Sequence, residues 1–232
     1  MQTFGANLVS APKRMDSPFR YPKVKHRRTQ RPPVYTDYRR YKPHLRVEFS
    51  GQCVYCRGLD VNKHEAFGVD HYRPSSLFPH LATEYLNLFY ACNRCNSLKR
   101  AYWPSSAEKK AGVFVPNPCE HVMWEHLRYS DGAVNGESPA GEYTVEHLLL
   151  NDEGVVTYRR SFSIALATLE AQIAAAHGTA RAAKKIAAKE AAPERKRRAE
   201  QARAQAEVSA RQLQDALTGL LGLAMPDTAA RP

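Results

Sequence analysis

Two short motifs constrain this chain more than anything else in it: "CVYC", Cys53 to Cys56, and "CNRC", Cys92 to Cys95, with 35 residues between them. Each places two thiolates on one tight turn, and two such turns can close a tetrahedral four-cysteine site for zinc. The intervening segment is longer than a simple ribbon needs, so it must hold structure of its own. A closed site clamps the ends of that segment and replaces part of a core that so short a region cannot build alone. Redox-active dithiols are the competing reading, but they seldom come as two pairs bracketing one insert. The fifth cysteine, Cys119, has no sequence partner and reads as a spectator thiol. The first residues lack an apolar core long enough for a secretory signal, and no run of about 18 apolar residues suggests a membrane span. Paired cysteines in a chain expected to be cytoplasmic point to metal before disulfides.

Charge supplies the second constraint. The formal net charge is +11 over 232 residues, unevenly spread. Residues 1–50 carry twelve Lys/Arg against three Asp/Glu, and residues 159–232 thirteen against seven, which leaves the middle at −4. Basic flanks around an acidic centre suit a metal-using site held on a polyanion by its arms; basic tails that only solubilise the chain are the plainer alternative. Residues 1–45 are rich in Pro, Arg and Tyr, which defeats both helical and strand periods. They are expected to form an extended arm whose arginines neutralise phosphates and whose tyrosines, Tyr21, Tyr35, Tyr38 and Tyr41, stack on bases. A tail that packs a few tyrosines on the core is the other reading.

Between the cysteine pairs, "AFGVDHYRP" reads as a strand ending at Asp70-His71. "SSLFPHLATEY" is a polar loop, "NLFYA" a second strand, and "NRCNSLKRAYW" opens a helix that shares the second cysteine pair. Strand, loop, strand, helix carries polar side chains at Asp70-His71, Asn87 and Asn96. The run D-H-x-x-P, then N-L, then C-x-x-C-N-x-x-K resembles the HNH endonucleases of the ββα-metal type that also carry a four-cysteine zinc site. The resemblance covers about fifty residues, Cys53 to Arg100. It implies that Asp70 and Asn96 bind one divalent metal, that His71 is the general base, and that Asn87 orients it. It puts Cys53, Cys56, Cys92 and Cys95 on a structural zinc. Asn96 stands where some members have a second histidine, which favours Mg²⁺ or Mn²⁺ over a softer ion.

The chemistry agrees with the resemblance. Cleaving a phosphodiester needs an activated water, charge on the phosphoryl oxygens and help for the leaving oxygen. An imidazole can take the water's proton near neutral pH. Arg73, Arg94, Lys99 and Arg100 lie close enough in sequence to meet flanking phosphates, although each is also an ordinary surface charge. His80 falls in the same loop with no fixed role. Asp70 and Asn96 taken alone would read as turn or capping residues.

Four segments follow: the basic arm 1–45, a nuclease core 46–112, a continuation 113–160, and an Ala-rich helical region 161–232. The expected class is α+β. In the continuation, "EHLRYSDGAVNGE" reads as a ribbon turning at Asp131-Gly132, and "YTVEHLLLN" as a short helix or strand. The last region shows an apolar stripe at Leu166, Leu169 and Ile173, thins to alanines, is interrupted at Pro193 and rebuilds a face at Leu213, Leu217, Leu220 and Leu221. The continuation also resembles bacterial HNH proteins that accompany ATPases in anti-phage defence, which implies a nuclease subunit cutting DNA, with the helical region docking on a partner. A zinc module that binds nucleic acid without cutting it, or a scaffold subunit, is the alternative; retention of Asp70, His71 and Asn96 argues for the enzyme.

Overall fold

The computed structural model describes residues 17–61 and 64–222. The first sixteen residues of the basic arm and the last ten of the helical region lie outside them. The described residues divide into two compact units, 17–163 and 164–222.

The first unit is built around a two-stranded antiparallel sheet. Strand β1, Phe67–His71, pairs with β2, Leu88–Cys92, with Asp70 opposite Phe89 and His71 opposite Leu88. β2 is buried from Leu88 to Ala91, which is why "NLFYA" shows no polar alternation: both its faces meet protein. Ahead of the sheet lies helix α1, Lys42–Glu48, and after it helix α2, Asn93–Lys99, for which Cys92 is the N-cap. Helix α3, Ser106–Lys110, starts on a capping box between Ser105 and Glu108. The continuation holds a one-turn helix α4, Met123–His126, then the hairpin β3, Leu127–Ser130, with β4, Ala133–Gly136. Asp131 and Gly132 both have positive φ, 46° and 82°, the turn that a two-residue hairpin needs. Helix α5, Pro139–His147, crosses so close to this hairpin that a Cβ on Gly141 would collide with the His126 carbonyl. Only glycine fits there.

The extended arm does not hang free. Tyr21 and Tyr41 are buried, and the Tyr21 hydroxyl donates to the Tyr55 carbonyl at 2.7 Å. The Arg28 guanidinium lies over the rings of Phe49, Tyr85 and Phe89, 4.7–5.1 Å from their centroids, and donates to the Leu88 carbonyl. The packed-tail reading holds for these side chains, while Arg20, Lys23, Lys25, Arg27 and Arg31 remain exposed. The arm turns helical at Tyr38, where Asp37 caps the backbone of Arg39.

Helix α6, Glu153–Lys189, begins in the first unit, where Phe162 and Tyr158 pack against Phe19. Its remainder and helix α7, Pro193–Leu220, form the second unit. Pro193 occupies the first turn of α7, where its missing N–H costs nothing. The buried residues Leu166, Ile173, Ala180 and Ala183 on α6, and Ala199, Ala206, Ala210 and Leu217 on α7, recur at intervals of seven, three and four. That is the spacing of a helix–helix seam, as in a helical hairpin, and it explains why the apolar stripe thins to alanine.

Glu48 is the anchor of the arm. Its carboxylate accepts from the Thr29 and Gln30 backbones at 2.8 and 3.0 Å, from His26 at 3.0 Å and from the Tyr85 hydroxyl at 3.1 Å. Burial alone would raise its pKa, but these donors together hold it below the ordinary 4.5. The stabilisation is therefore present above the unfolded value and is lost as pH falls through the lower folded value. Glu48→Gln is expected to cost about 2 kcal/mol at pH 7 and to flatten the acid limb of the stability curve, read by urea denaturation between pH 7 and pH 3.

Candidate active site and metal centre

The four cysteines converge as the spacing requires. Their sulfur atoms lie within 4.8 Å of one another, with Cys56 and Cys92 at 3.8 Å. A tetrahedron with metal–sulfur bonds of 2.3 Å has an edge of about 3.8 Å. Each pair sits on a knuckle. The Gly58 N–H donates to Cys56 Sγ and the Cys95 N–H to Cys92 Sγ, both at 3.4 Å. Cys53 and Cys95 are fully buried. Burial pushes the Cys53 thiol well up, whereas hydrogen bonds from the other three cysteines hold Cys56 well down. A metal cation among sulfurs this close would favour their thiolate forms.

The knuckle reaches directly into the Asp-His site. Tyr55, inside "CVYC" and fully buried, donates its hydroxyl to Asp70 Oδ2 at 2.5 Å. Lys99 Nζ donates to Asp70 Oδ1 at 3.0 Å and to the His71 carbonyl at 2.8 Å. Asp70 is 2% and Lys99 1% exposed. Lys99, expected on a flanking phosphate, is thus turned inward: a buried carboxylate requires a cation, and α2 carries one to it.

Strand alternation sends His71 the other way. It is half-buried, its ring meets Tyr38 edge-on at 4.6 Å, and its Nε2 lies 2.8 Å from the Ala82 carbonyl. A carbonyl only accepts, so Nε2 carries the proton and Nδ1 the lone pair. Among the described residues Asn87 makes no hydrogen bond to His71. Its Oδ1 accepts from the Arg73 N–H at 2.9 Å, and its Nδ2 donates to the carbonyls of Arg73 and Leu81 at 3.0 and 3.3 Å. It therefore ties both ends of the loop that presents the Ala82 carbonyl.

Asn96 lies one helical turn before Lys99 on the α2 face toward β1. Its Nδ2 is 3.4 Å from the Val69 carbonyl, and its Oδ1 accepts no hydrogen bond among the described residues. Gly68 leaves the space across from it. Of the remaining cations, Arg94 donates to the Leu148 and Leu149 carbonyls at 3.2 and 2.9 Å, so it pins the end of α5. Arg73 and Arg100 are exposed, with the Arg73 guanidinium 5.5 Å over the Trp103 ring.

Sequence reasoning missed Tyr55, the Ala82 carbonyl and Arg159, and expected Tyr38 on a base rather than against His71. Arg159 is 1% exposed and donates to the carbonyls of Gly132, Leu150 and Cys56, tying the hairpin and the start of α6 to the first knuckle. None has a local signature; only Tyr55, inside a metal knuckle, could have been suspected.

Removing the buried ammonium should cost far more than removing the hydroxyl. Lys99→Met is expected to destabilise by about 3 kcal/mol, since it strands a buried charge. Tyr55→Phe should cost about 1 kcal/mol. Urea denaturation of the two variants decides the order.

Comparison with known proteins places this geometry. No solved structure matches the chain. Over 123 residues it is 26% identical to the Septu protein PtuB of Bacillus thuringiensis, an alignment that takes in 51% of this chain and 46% of that protein. The chain thus spans about half the length of that relative. Residues 53–101, from the first cysteine of the cage to just beyond Lys99, match the family model of the HNH endonucleases.

Proposed function

We propose that the protein is a metal-dependent endonuclease that hydrolyses phosphodiester bonds of DNA, as the nuclease component of a bacterial defence system against phage. The observation that carries this reading is His71. Its Nε2 is committed to the Ala82 carbonyl, so the basic Nδ1 is held in a fixed orientation at the end of β1. His71 takes the proton from the attacking water through Nδ1. Asn87 is a positioning residue that acts through the loop it ties. The defence role is supported by the likeness to the Septu protein PtuB, and an ATPase partner by the resemblance of the continuation alone.

The residues fit a hard divalent ion. A carboxylate has about four lone-pair sites, and Tyr55 and Lys99 use two of those on Asp70; Asn96 Oδ1 is uncommitted. These two oxygens would hold Mg²⁺ or Mn²⁺, which supplies charge to the scissile phosphate and the leaving oxygen when bound. Lys99 pairs with Asp70 at 3.0 Å and holds the carboxylate in place. Arg73 and Arg100 are exposed to meet flanking phosphates. The cysteine cage fits zinc by ligand type and by its 3.8 Å edge.

Supercoiled plasmid with Mg²⁺ or Mn²⁺ tests the reading. Wild type should relax or linearise it, and His71→Ala should do so roughly 10²- to 10⁴-fold more slowly; equal rates would remove His71 from its role. The Asp70 assignment has a readout besides cleavage. Mn²⁺ is expected to raise the melting temperature of Lys99→Met more than that of wild type, because the ion replaces a missing charge. Zinc analysis should find one equivalent per chain, lost together with the folded core in Cys53→Ser.

A further inference from the structure

The helical hairpin segregates its charge. Residues 181–198, where α6 gives way to α7, hold eight Lys/Arg against two Glu, while residues 164–180 and 199–222 together hold two against four acids. All eight cationic side chains are exposed, and none belongs to an ion pair among the described residues. A shallow groove lined by Lys185, Ile186, Lys189 and Glu190 lies at the same end.

The two halves of this patch have different physical standing. Cations at the end of α6 are stabilised by the negative end of its dipole, so Lys184, Lys185 and Lys189 serve the helix itself. The run Arg195 to Arg198 opens α7, at the positive end of its dipole, where acidic side chains are favoured. Four adjacent cations there repel one another, and those in the first turn also oppose the dipole. Two carboxylates, Glu190 and Glu194, the latter in the first turn of α7, offset only part of the charge of these eight cations. Such an arrangement costs stability without a folding return, and it is relieved by an external polyanion.

We infer that the tip of the hairpin, centred on Arg195–Arg198, grips the phosphate backbone of the nucleic acid that the protein cuts. The inference rests on the nuclease reading. Among these eight side chains there is no aromatic ring to stack on a base and no planar amide to read one, so the grip is sequence-independent and salt-dependent.

The test is equilibrium binding of the full chain carrying His71→Ala, without added divalent ion, to fluorescent 30-base-pair DNA and RNA duplexes between 50 and 200 mM NaCl. In the variant Arg195→Gln, Lys196→Gln, Arg197→Gln, Arg198→Gln, the slope of log K against log salt should fall by about 2–4. Affinity at 50 mM should drop at least tenfold, with helical circular dichroism unchanged. Whichever duplex shows the loss identifies the source of the phosphates. Arg197→Gln with Arg198→Gln must weaken binding more than the charge-matched Arg203→Gln with Arg211→Gln. Equal effects of the two pairs, or an unchanged slope in the fourfold variant, would overturn the proposal. Binding is read in a protein that does not cleave, so this result and the plasmid result fail independently.

Discussion

Four sulfurs in a cage 4.8 Å across would be favoured as thiolates by a cation among them, and the rest of the first unit hangs on that cage. The cage joins the segment after α1 to the end of β2 and the start of α2. With the cage closed, Val54 donates to the Tyr90 carbonyl at 3.0 Å, which docks the first knuckle on the sheet. Tyr55 then has one place to go: inward, onto Asp70. The short sheet of two five-residue strands would be marginal alone. Tied at one end by the cysteine cage, and packed through Phe89 against Phe49, Tyr72 and Arg28, it becomes a platform for the Asp-His pair.

That dependence separates the two neighbours more sharply than adjacency suggests. Asp70 belongs to the interior, with a hydroxyl from the metal knuckle and an ammonium from α2 on its oxygens. His71 belongs to the outer face, with its proton fixed by a loop carbonyl. One side chain is held by the cage, the other by the loop that Asn87 ties. A disturbance of the cysteines should therefore reach Asp70 first, and a disturbance of residues 73–82 should reach His71 first.

Much of this was legible in the sequence because its signals are local. The C-x-x-C spacing carries the knuckle geometry, Asp131-Gly132 carries the hairpin turn, Pro193 the start of α7, and the apolar run "LFYA" the buried strand. The partners of the polar residues were not legible, because each is a long-range pairing with no periodic trace: Lys99 with Asp70 across 29 positions, Arg94 with the end of α5 across 54, Arg159 with Cys56 across 103. A lysine or arginine read from sequence is a surface charge by default. Here two of the four cations near the motif were turned into the fold by buried acceptors that nothing in their neighbourhood announced.

The same reasoning distinguishes charges that a fold explains from charges it does not. Lys99 balances a buried carboxylate, Arg94 and Arg159 satisfy carbonyls at element ends, and the cations ending α6 complement a helix dipole. Each could be replaced only at a cost to the fold. The run opening α7 has no such account: it is exposed, in no ion pair among the described residues, and set at the wrong end of its helix. In a protein of net charge +11, position relative to the fold's own needs, rather than the total, is what marks a cation as available to a partner.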